Sequence, residues 1–177
     1  NTLAAVPLAP VIGAATATTL EVSIAPGDGN AVSTTYAIRE TTGSLFVQAG
    51  GLLGASAVYQ TRDAWDAETV SGLSSDTAYT FEVIARNGGG VVTVASPTSS
   101  GTTLAVTPLA PVVSNATSTT LSVTIASGDG NPVTVTYAIA SGAQYIQAGG
   151  TLGASAVFQT AAVWGAKVVT GLSIDTA

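Results

Sequence analysis

The chain has 177 residues, 46% of them hydrophobic and only 8% charged, with 10 acidic against 4 basic side chains, a net charge of −6, and no His, Cys or Met. That length suits one large domain or two small ones, and the missing residue types exclude a histidine general base, a cysteine nucleophile, a disulfide and any imidazole or thiolate metal site. Arg39, Arg62, Arg86 and Lys167 are too few and too scattered for the basic stripe that nucleic acid or an anionic membrane demands, and no apolar run approaches the ~20 residues of a membrane span.

The expectation is therefore no nucleic-acid partner, no membrane insertion and no cofactor. The start, Asn1-Thr2-Leu3, carries neither an initiator Met nor a basic n-region, and reads as a mature or excised stretch of a longer precursor. Pro7-Leu8-Ala9-Pro10 leads into the first strands. Leu20, Val22 and Ile24 then share one face and Thr19, Glu21 and Ser23 the other, the two-residue period of a half-buried strand. Pro26-Gly27-Asp28-Gly29-Asn30 is a turn, and Tyr36 and Ile38 share a face of the strand after it. Gln48–Trp65 is a long excursion opened by Gly50-Gly51. Beyond the Ser71-Gly72 turn, Tyr79, Phe81, Val83 and Ala85 point one way and Thr80, Glu82, Ile84 and Arg86 the other. Asn87-Gly88-Gly89-Gly90 lacks the strand–helix context of a phosphate loop and reads as a hairpin turn into a last strand, Val91–Ser96. The Ser/Thr/Gly-rich run Pro97–Thr103 suits a short interdomain link, with a boundary near Gly101. Nothing shows a sustained helical period.

The pattern then starts again. Thr2–Pro10 (TLAAVPLAP) returns as Thr103–Pro111 (TLAVTPLAP), Gly27–Asn30 as Gly128–Asn131, Thr35–Ile38 as Thr136–Ile139, Gln48–Gly51 as Gln147–Gly150, Leu53–Val58 as Leu152–Val157, and Trp65 as Trp164. Residues 2–78 align with 103–177 with one two-residue gap near Thr41, and 47 of 75 pairs are identical. A period of about 101 residues is too long for a solenoid repeat and is the size of a β-sandwich domain. The second copy stops at Ala177, opposite Ala78, so it carries no counterpart of the two strands that follow Ala78 in the first.

About seven short strands with turns between them predict an antiparallel two-sheet sandwich. The stretch Thr69–Asn87 (TVSGLSSDTAYTFEVIARN) resembles the corresponding region of fibronectin type III domains, whose pattern is roughly V-x-G-L-x-P-x-T-x-Y-x-F-x-V-x-A-x-N. Thr77, Tyr79, Phe81, Val83, Ala85 and Asn87 match, and Ser75 stands where the family often has Pro. Tyr36 and Tyr137 resemble the family's third-strand aromatic, while Ile24 and Ile125 stand in place of its usual core Trp. The resemblance implies an all-β fold: tandem immunoglobulin-like (fibronectin type III-like) sandwiches over 1–101 and 102–177, the second lacking its last two strands. Tyr79, in phase with Phe81 and Val83, is expected in the core with its hydroxyl reaching backbone near the preceding turn.

Few residues offer chemistry. Each GDGN loop has one Asp, against the 6–8 oxygens a calcium ion takes, so a strand turn is the better reading. Asp63, Asp66 and Glu68 around Trp65 could serve a glycosidase or hold a sugar, but the second copy has Ala162, Gly165 and Lys167 there and keeps only Trp164. Trp65 and Trp164 are thus expected to pack, with sugar stacking the alternative. No base is available for a nucleophilic serine, and no S-x-x-K spacing precedes Lys167. Asn115-Ala116-Thr117 matches the N-glycosylation acceptor pattern.

From Thr102 onward only Asp129, Lys167 and Asp175 are charged, against ~25% in an ordinary chain. Burial against neighbours in an assembly, glycans on Ser or Thr, or a Thr/Ser-rich extracellular module of the kind common in secreted bacterial proteins would each account for that. A sandwich without its last strands leaves an edge that recruits other chains, so strands from another molecule could complete the second copy; a chain that simply continues is the competing expectation. These features lead to a non-enzymatic, structural repeat segment of an extracellular or cell-surface protein, with copies of itself in a homopolymer and with glycans as partners. Ancillary modules of a secreted polysaccharide-degrading enzyme, or adhesin modules using the Gln48–Trp65 loop, are the alternatives.

Overall fold

Alternation of apolar and polar side chains decides where the strands run. The computed structural model describes residues 2–173, and the chain divides into two units, Asn1–Leu104 and Ala105–Ala177. In the first, the described strands are β1 (Val11–Ala15), β2 (Thr19–Ser23), β3 (Thr35–Glu40), β4 (Leu45–Val47), β5 (Leu53–Gly54) and β6 (Gln60–Thr61); then, after the single helical turn α1 (Arg62–Trp65), β7 (Ala67–Ser71), β8 (Ala78–Arg86) and β9 (Ser99–Thr102). One antiparallel sheet has the order β1-β2-β7; the other runs β5-β4-β3-β8-β9, with β6 also pairing β3.

The two sheets bury their inward residues against each other. Leu20, Val22, Ile24 and Val70 come from one side, and Tyr36, Ile38, Phe81, Val83 and Ala85 from the other, all 5% exposed or less. In the central ladder Tyr36 lies opposite Ala85, Ile38 opposite Val83 and Glu40 opposite Phe81. Tyr79 packs on this core, and its hydroxyl accepts the Ser74 backbone N–H at 2.8 Å, the contact expected of it. Three departures from expectation have physical causes. Residues 62–65 form a helical turn, nucleated by Thr61, whose hydroxyl accepts the Ala64 N–H; four residues are too few to show a period. Val91–Ser96 makes only one ladder bridge, Val92 to Arg86, because the Thr93 and Ser96 hydroxyls accept the Ala85 and Val83 N–H groups that a strand's carbonyls would otherwise take. Pro97, with no N–H of its own, then shifts regular pairing to Ser99–Thr102.

The supposed link is consequently the first unit's last strand. Beyond Gly101, the buried Thr103 hydroxyl donates to Ser74 O at 2.6 Å and accepts Thr77 N–H at 3.0 Å, while Leu104 N–H bonds Thr16 O at 2.8 Å. These contacts tie residues 102–104 to the first unit and set the division after Leu104 rather than at 101.

The second unit repeats the plan: β10 (Val112–Ser114), β11 (Leu121–Thr124), β12 (Thr136–Tyr137), β13 (Ala140–Ser141), β14 (Gln144–Ile146), β15 (Leu152–Gly153), β16 (Gln159–Thr160), the turn α2 (Ala161–Trp164), and β17 (Ala166–Val169). Its sheets are β10-β11-β17, β13-β14-β15 and the pair β12-β16. Among the described residues no strand corresponds to β8 or β9; Ile174–Ala177, at the end of the expected 102–177 repeat, lie outside the described residues. Residues 136–141, the counterparts of the six-residue β3, form only the short pieces β12 and β13. In the first unit the β8 ladder along one side of β3 holds it as a single strand.

Candidate functional site

The loop between the second and third strands of each unit was the first sequence candidate. Two positive-φ glycines, Gly27 (96°) and Gly29 (75°), turn the chain so that Asp28 faces inward. Its carboxylate collects four groups: Asn30 N–H (3.1 Å), Asn30 Nδ2 (2.9 Å), the Tyr36 hydroxyl (2.8 Å) and Arg62 Nη2 (2.7 Å). Asn30 then clamps the N-terminal segment, its Oδ1 accepting Ala5 N–H at 2.7 Å and its Nδ2 donating to Ala5 O at 3.0 Å. The second unit keeps the clamp through Asp129, Asn131, Tyr137 and the Val106 backbone, and lacks only the arginine, replaced by Ala161. The loop is thus a fastening. Its carboxylate is taken up by internal donors, and among the described residues no group of three His, Cys, Asp or Glu side chains could hold a metal ion.

Electrostatics follow from that geometry. Burial works to raise the Asp28 pKa, but the bonds from Arg62, Asn30 and Tyr36 together outweigh it and hold the group at about 2, against an ordinary 3.8. The Tyr36 hydroxyl is pushed up, by burial first and then by the Asp28 carboxylate. The Arg62 guanidinium, raised chiefly by its bond to Asp28, also lies 5.3 Å from the Tyr36 ring centre. A carboxylate with a depressed folded pKa adds stability that is complete above about pH 4 and is lost as the pH falls toward 2. Urea titrations from pH 5 to pH 1.5 should therefore show the first unit losing roughly 2 kcal/mol through this group. The same series on Asp28→Asn should lack that segment; an unchanged pH slope in the variant would place the titration elsewhere.

Both tryptophans are core residues. Trp65 is 1% and Trp164 2% exposed, and each indole Nε1 donates 2.7 Å to the carbonyl of Tyr36 or Tyr137. Neither ring offers a face on which a sugar could stack. The acidic trio around Trp65 is dispersed: Asp63 and Asp66 are exposed on either side of the ring's anchor point, with Asp66 at φ 44° closing α1, and Glu68 is half-buried on β7 with its pKa raised by burial. Gly165, at φ 52°, closes α2 in the same way, so the acidic residue there is not needed for the turn. Asn115 is exposed in the turn joining β10 and β11, at φ 50°, and the Thr117 hydroxyl of its acceptor motif takes the Thr120 N–H at 3.0 Å.

No protein-family model matches the chain, and neither does any curated protein. Solved structures do match. A two-fibronectin type III segment of chicken tenascin aligns over 95% of this chain and 84% of its own, at 14% identity and a TM-score of 0.54. The fibronectin type III domain of a human fibronectin type III domain containing protein covers 59% of this chain and 89% of its own, at 26% identity and a TM-score of 0.43.

The fold is a tandem of fibronectin type III-like sandwiches.

Within these fibronectin type III-like units, three contacts went unnoticed in the sequence. The Gln48 amide bonds Phe46 O and Ser56 O at 3.0 and 2.9 Å, and Gln147 repeats both bonds with Tyr145 and Ser155. The repeated QAGG was their signal, since both copies keep the glutamine. Arg39 pairs with Glu82 across the β3–β8 ladder, and Arg86 stacks 4.0 Å from the Tyr59 ring centre. Each joins residues more than 25 positions apart and occurs in one unit only, so nothing in the sequence announced it.

Proposed function

We propose that the chain is a structural, non-enzymatic repeat segment of an extracellular or cell-surface protein. Its sandwiches act as spacers and lateral contact surfaces in a fibre, sheath or array built from copies of the same chain. The observation that carries this reading is the surface of the second unit. Val112, Val113, Val133, Phe158, Val163 and Val168 are each 50% exposed or more on a unit with three charged residues in its sequence. Apolar surface that is not dispersed among charges favours association over solution as a monomer. No described helix is long and apolar enough to cross a membrane. The bacterial origin suggested by a Cys-free, Thr/Ser-rich composition, and a glycan on Asn115, belong to the same proposal.

Negative-stain electron microscopy and sedimentation of the purified chain over a hundredfold concentration range test it. Extended assemblies that grow with concentration are the expected result. A monodisperse monomer throughout would overturn the array reading, and turnover of a polysaccharide by the chain alone would overturn its non-enzymatic character.

A further inference from the structure

We propose that Asn87 is a self-modification site of the folded chain: its side-chain amide is lost through a cyclic imide formed with Gly88, and the acidic product lets go of Thr2. No other asparagine of the sequence precedes glycine. Asn1 precedes Thr2, Asn30 and Asn115 precede alanines, whose Cβ crowds the ring that has to close, and Asn131 precedes Pro132, which has no N–H to attack with. The structure places the reacting groups. Asn87 opens the turn after β8: its N–H bonds Val91 O at 3.0 Å and its carbonyl takes Gly90 N–H at 2.9 Å. Its Oδ1 accepts Gly89 N–H at 3.0 Å and Val91 N–H at 2.9 Å. An oxygen bonded two residues ahead folds the amide carbon forward over the peptide between Asn87 and Gly88. Gly88 is exposed, and its N–H has no partner among the described residues.

The chemistry balances with water as its only co-reactant. The Gly88 nitrogen forms a bond to Asn87 Cγ, the Cγ–Nδ2 bond breaks, and the proton of the attacking nitrogen leaves with Nδ2 as ammonia. Water then opens either carbonyl of the imide, giving an aspartyl or an isoaspartyl residue. As the nitrogen adds, Oδ1 becomes an oxyanion, and the two N–H groups already on it bind that charge more strongly than they bind the amide. A hollow of about 470 Å³ bordered by Thr2, Asn30, Asn87 and Gly88 gives water its approach. Asp28-Gly29 and Asp129-Gly130 make the same forward bond, from Asn30 and Asn131 N–H at 3.1 and 3.0 Å. They are spared because an ionised carboxylate is a poor electrophile: Asp28 is held at about 2, against burial, by Arg62, Asn30 and Tyr36, and Asp129 is lowered by Asn131. The consequence lies at Thr2. Asn87 Nδ2 donates to Thr2 O at 2.9 Å, tying residues 85 positions apart. An acid at 87 still accepts Gly89 and Val91 N–H, so the turn survives, but it offers Thr2 O no donor and adds one negative charge to the net −6. This stands apart from the array reading, since a monomer would carry it equally.

The test incubates the purified chain at neutral pH and physiological temperature and follows the masses of its peptides. A gain of about 1 Da is expected at the peptide that holds Asn87, and none at those holding Asn30, Asn115 or Asn131. Its rate should lie within about tenfold of that of a synthetic peptide of residues 84–93. Gly88→Ala should slow it by roughly tenfold; the left-handed residue of the turn is Gly90, at φ 83°, so that variant keeps the turn. Asn87→Asp supplies the product directly. In it the NMR order parameters of Thr2 and Leu3 should drop by roughly 0.2 from the parent while those of Gly89 and Val91 hold. An amide at 87 that outlasts the peptide's by more than about tenfold would overturn the site, because the fold would then protect it. So would Gly88→Ala converting as fast as the parent, or equal conversion at Asn30 or Asn115. Unchanged order at Thr2 and Leu3 in Asn87→Asp would overturn the release.

Discussion

Trp65→Ala is expected to destabilise the first unit by about 3–5 kcal/mol, a large share of the ~5–15 kcal/mol that holds a domain folded. The indole lies where α1 meets the sheets, 1% exposed, in one cluster with Tyr36, Ile38, Val70 and Phe81. Truncation leaves a cavity among these side chains. Relaxation there is limited, because β3 is paired on both sides, to β4 and β6 and to β8. It also removes the 2.7 Å bond to Tyr36 O, leaving a buried carbonyl with one acceptor position empty. Trp65→Phe separates the two effects: it keeps most of the ring volume and loses the bond, so a cost of about 1–3 kcal/mol is expected. The repeat supplies the reporter. In Trp65→Ala the remaining indole is Trp164, so its fluorescence should follow the second unit, while far-ultraviolet dichroism, which sums both units, should gain an earlier transition from the weakened first. A loss below about 1 kcal/mol would mean that the ring is peripheral to folding, contrary to its burial.

What the sequence disclosed, and what it concealed, divides along one physical line. Where a side chain's role depends on phase, as with Leu20, Val22 and Ile24 or Phe81, Val83 and Ala85, the two-residue period told which face goes inward, and each of these residues is buried. Duplication added a second channel, because a residue kept in both copies while its neighbours drift is held by something. Trp65 and Trp164 were singled out in that way. Roles that depend on a partner far along the chain left no such trace. Asp28 and Arg62 are 34 positions apart, and the repeat loses the arginine while keeping the aspartate. β9 was hidden for a different reason. Its residues, Ser99–Thr102, have the composition of a linker, and their place in the sheet comes from backbone bonds to β8 and from the Thr80–Ser100 hydroxyl contact at 2.7 Å. Composition reports solubility and flexibility of a segment; it does not report whether an unpaired edge lies beside it.

Gly51→Ala is expected to cost the first unit about 3 kcal/mol or more, whereas Gly50→Ala, one residue earlier, should stay within about 0.5 kcal/mol of the parent. The contrast follows from position alone. Gly51 has φ 79°, a conformation that costs an L-residue about 1–2 kcal/mol. A Cβ there would also overlap the Thr69 carbonyl on β7, which is backbone and cannot swing aside. Gly51 cannot shift to relieve the overlap, since its N–H donates to Gln48 O and its carbonyl accepts Ser71 N–H, both at 2.9 Å. Those two bonds fix the start of the long excursion to the strand that follows it. A Cβ on Gly50 would meet nothing within 4 Å, and its φ is not in the left-handed region. Gly150 stands in the same state in the second unit, at φ 88°, with its Cβ position overlapping Val168 O and its carbonyl accepting Thr170 N–H at 2.9 Å. Gly150→Ala should accordingly damage the second unit and Gly149→Ala should spare it. Equal losses from both glycines of either pair, measured by urea unfolding, would show that the doublet serves loop flexibility; a loss confined to the second glycine shows that it serves one close approach of backbone to backbone.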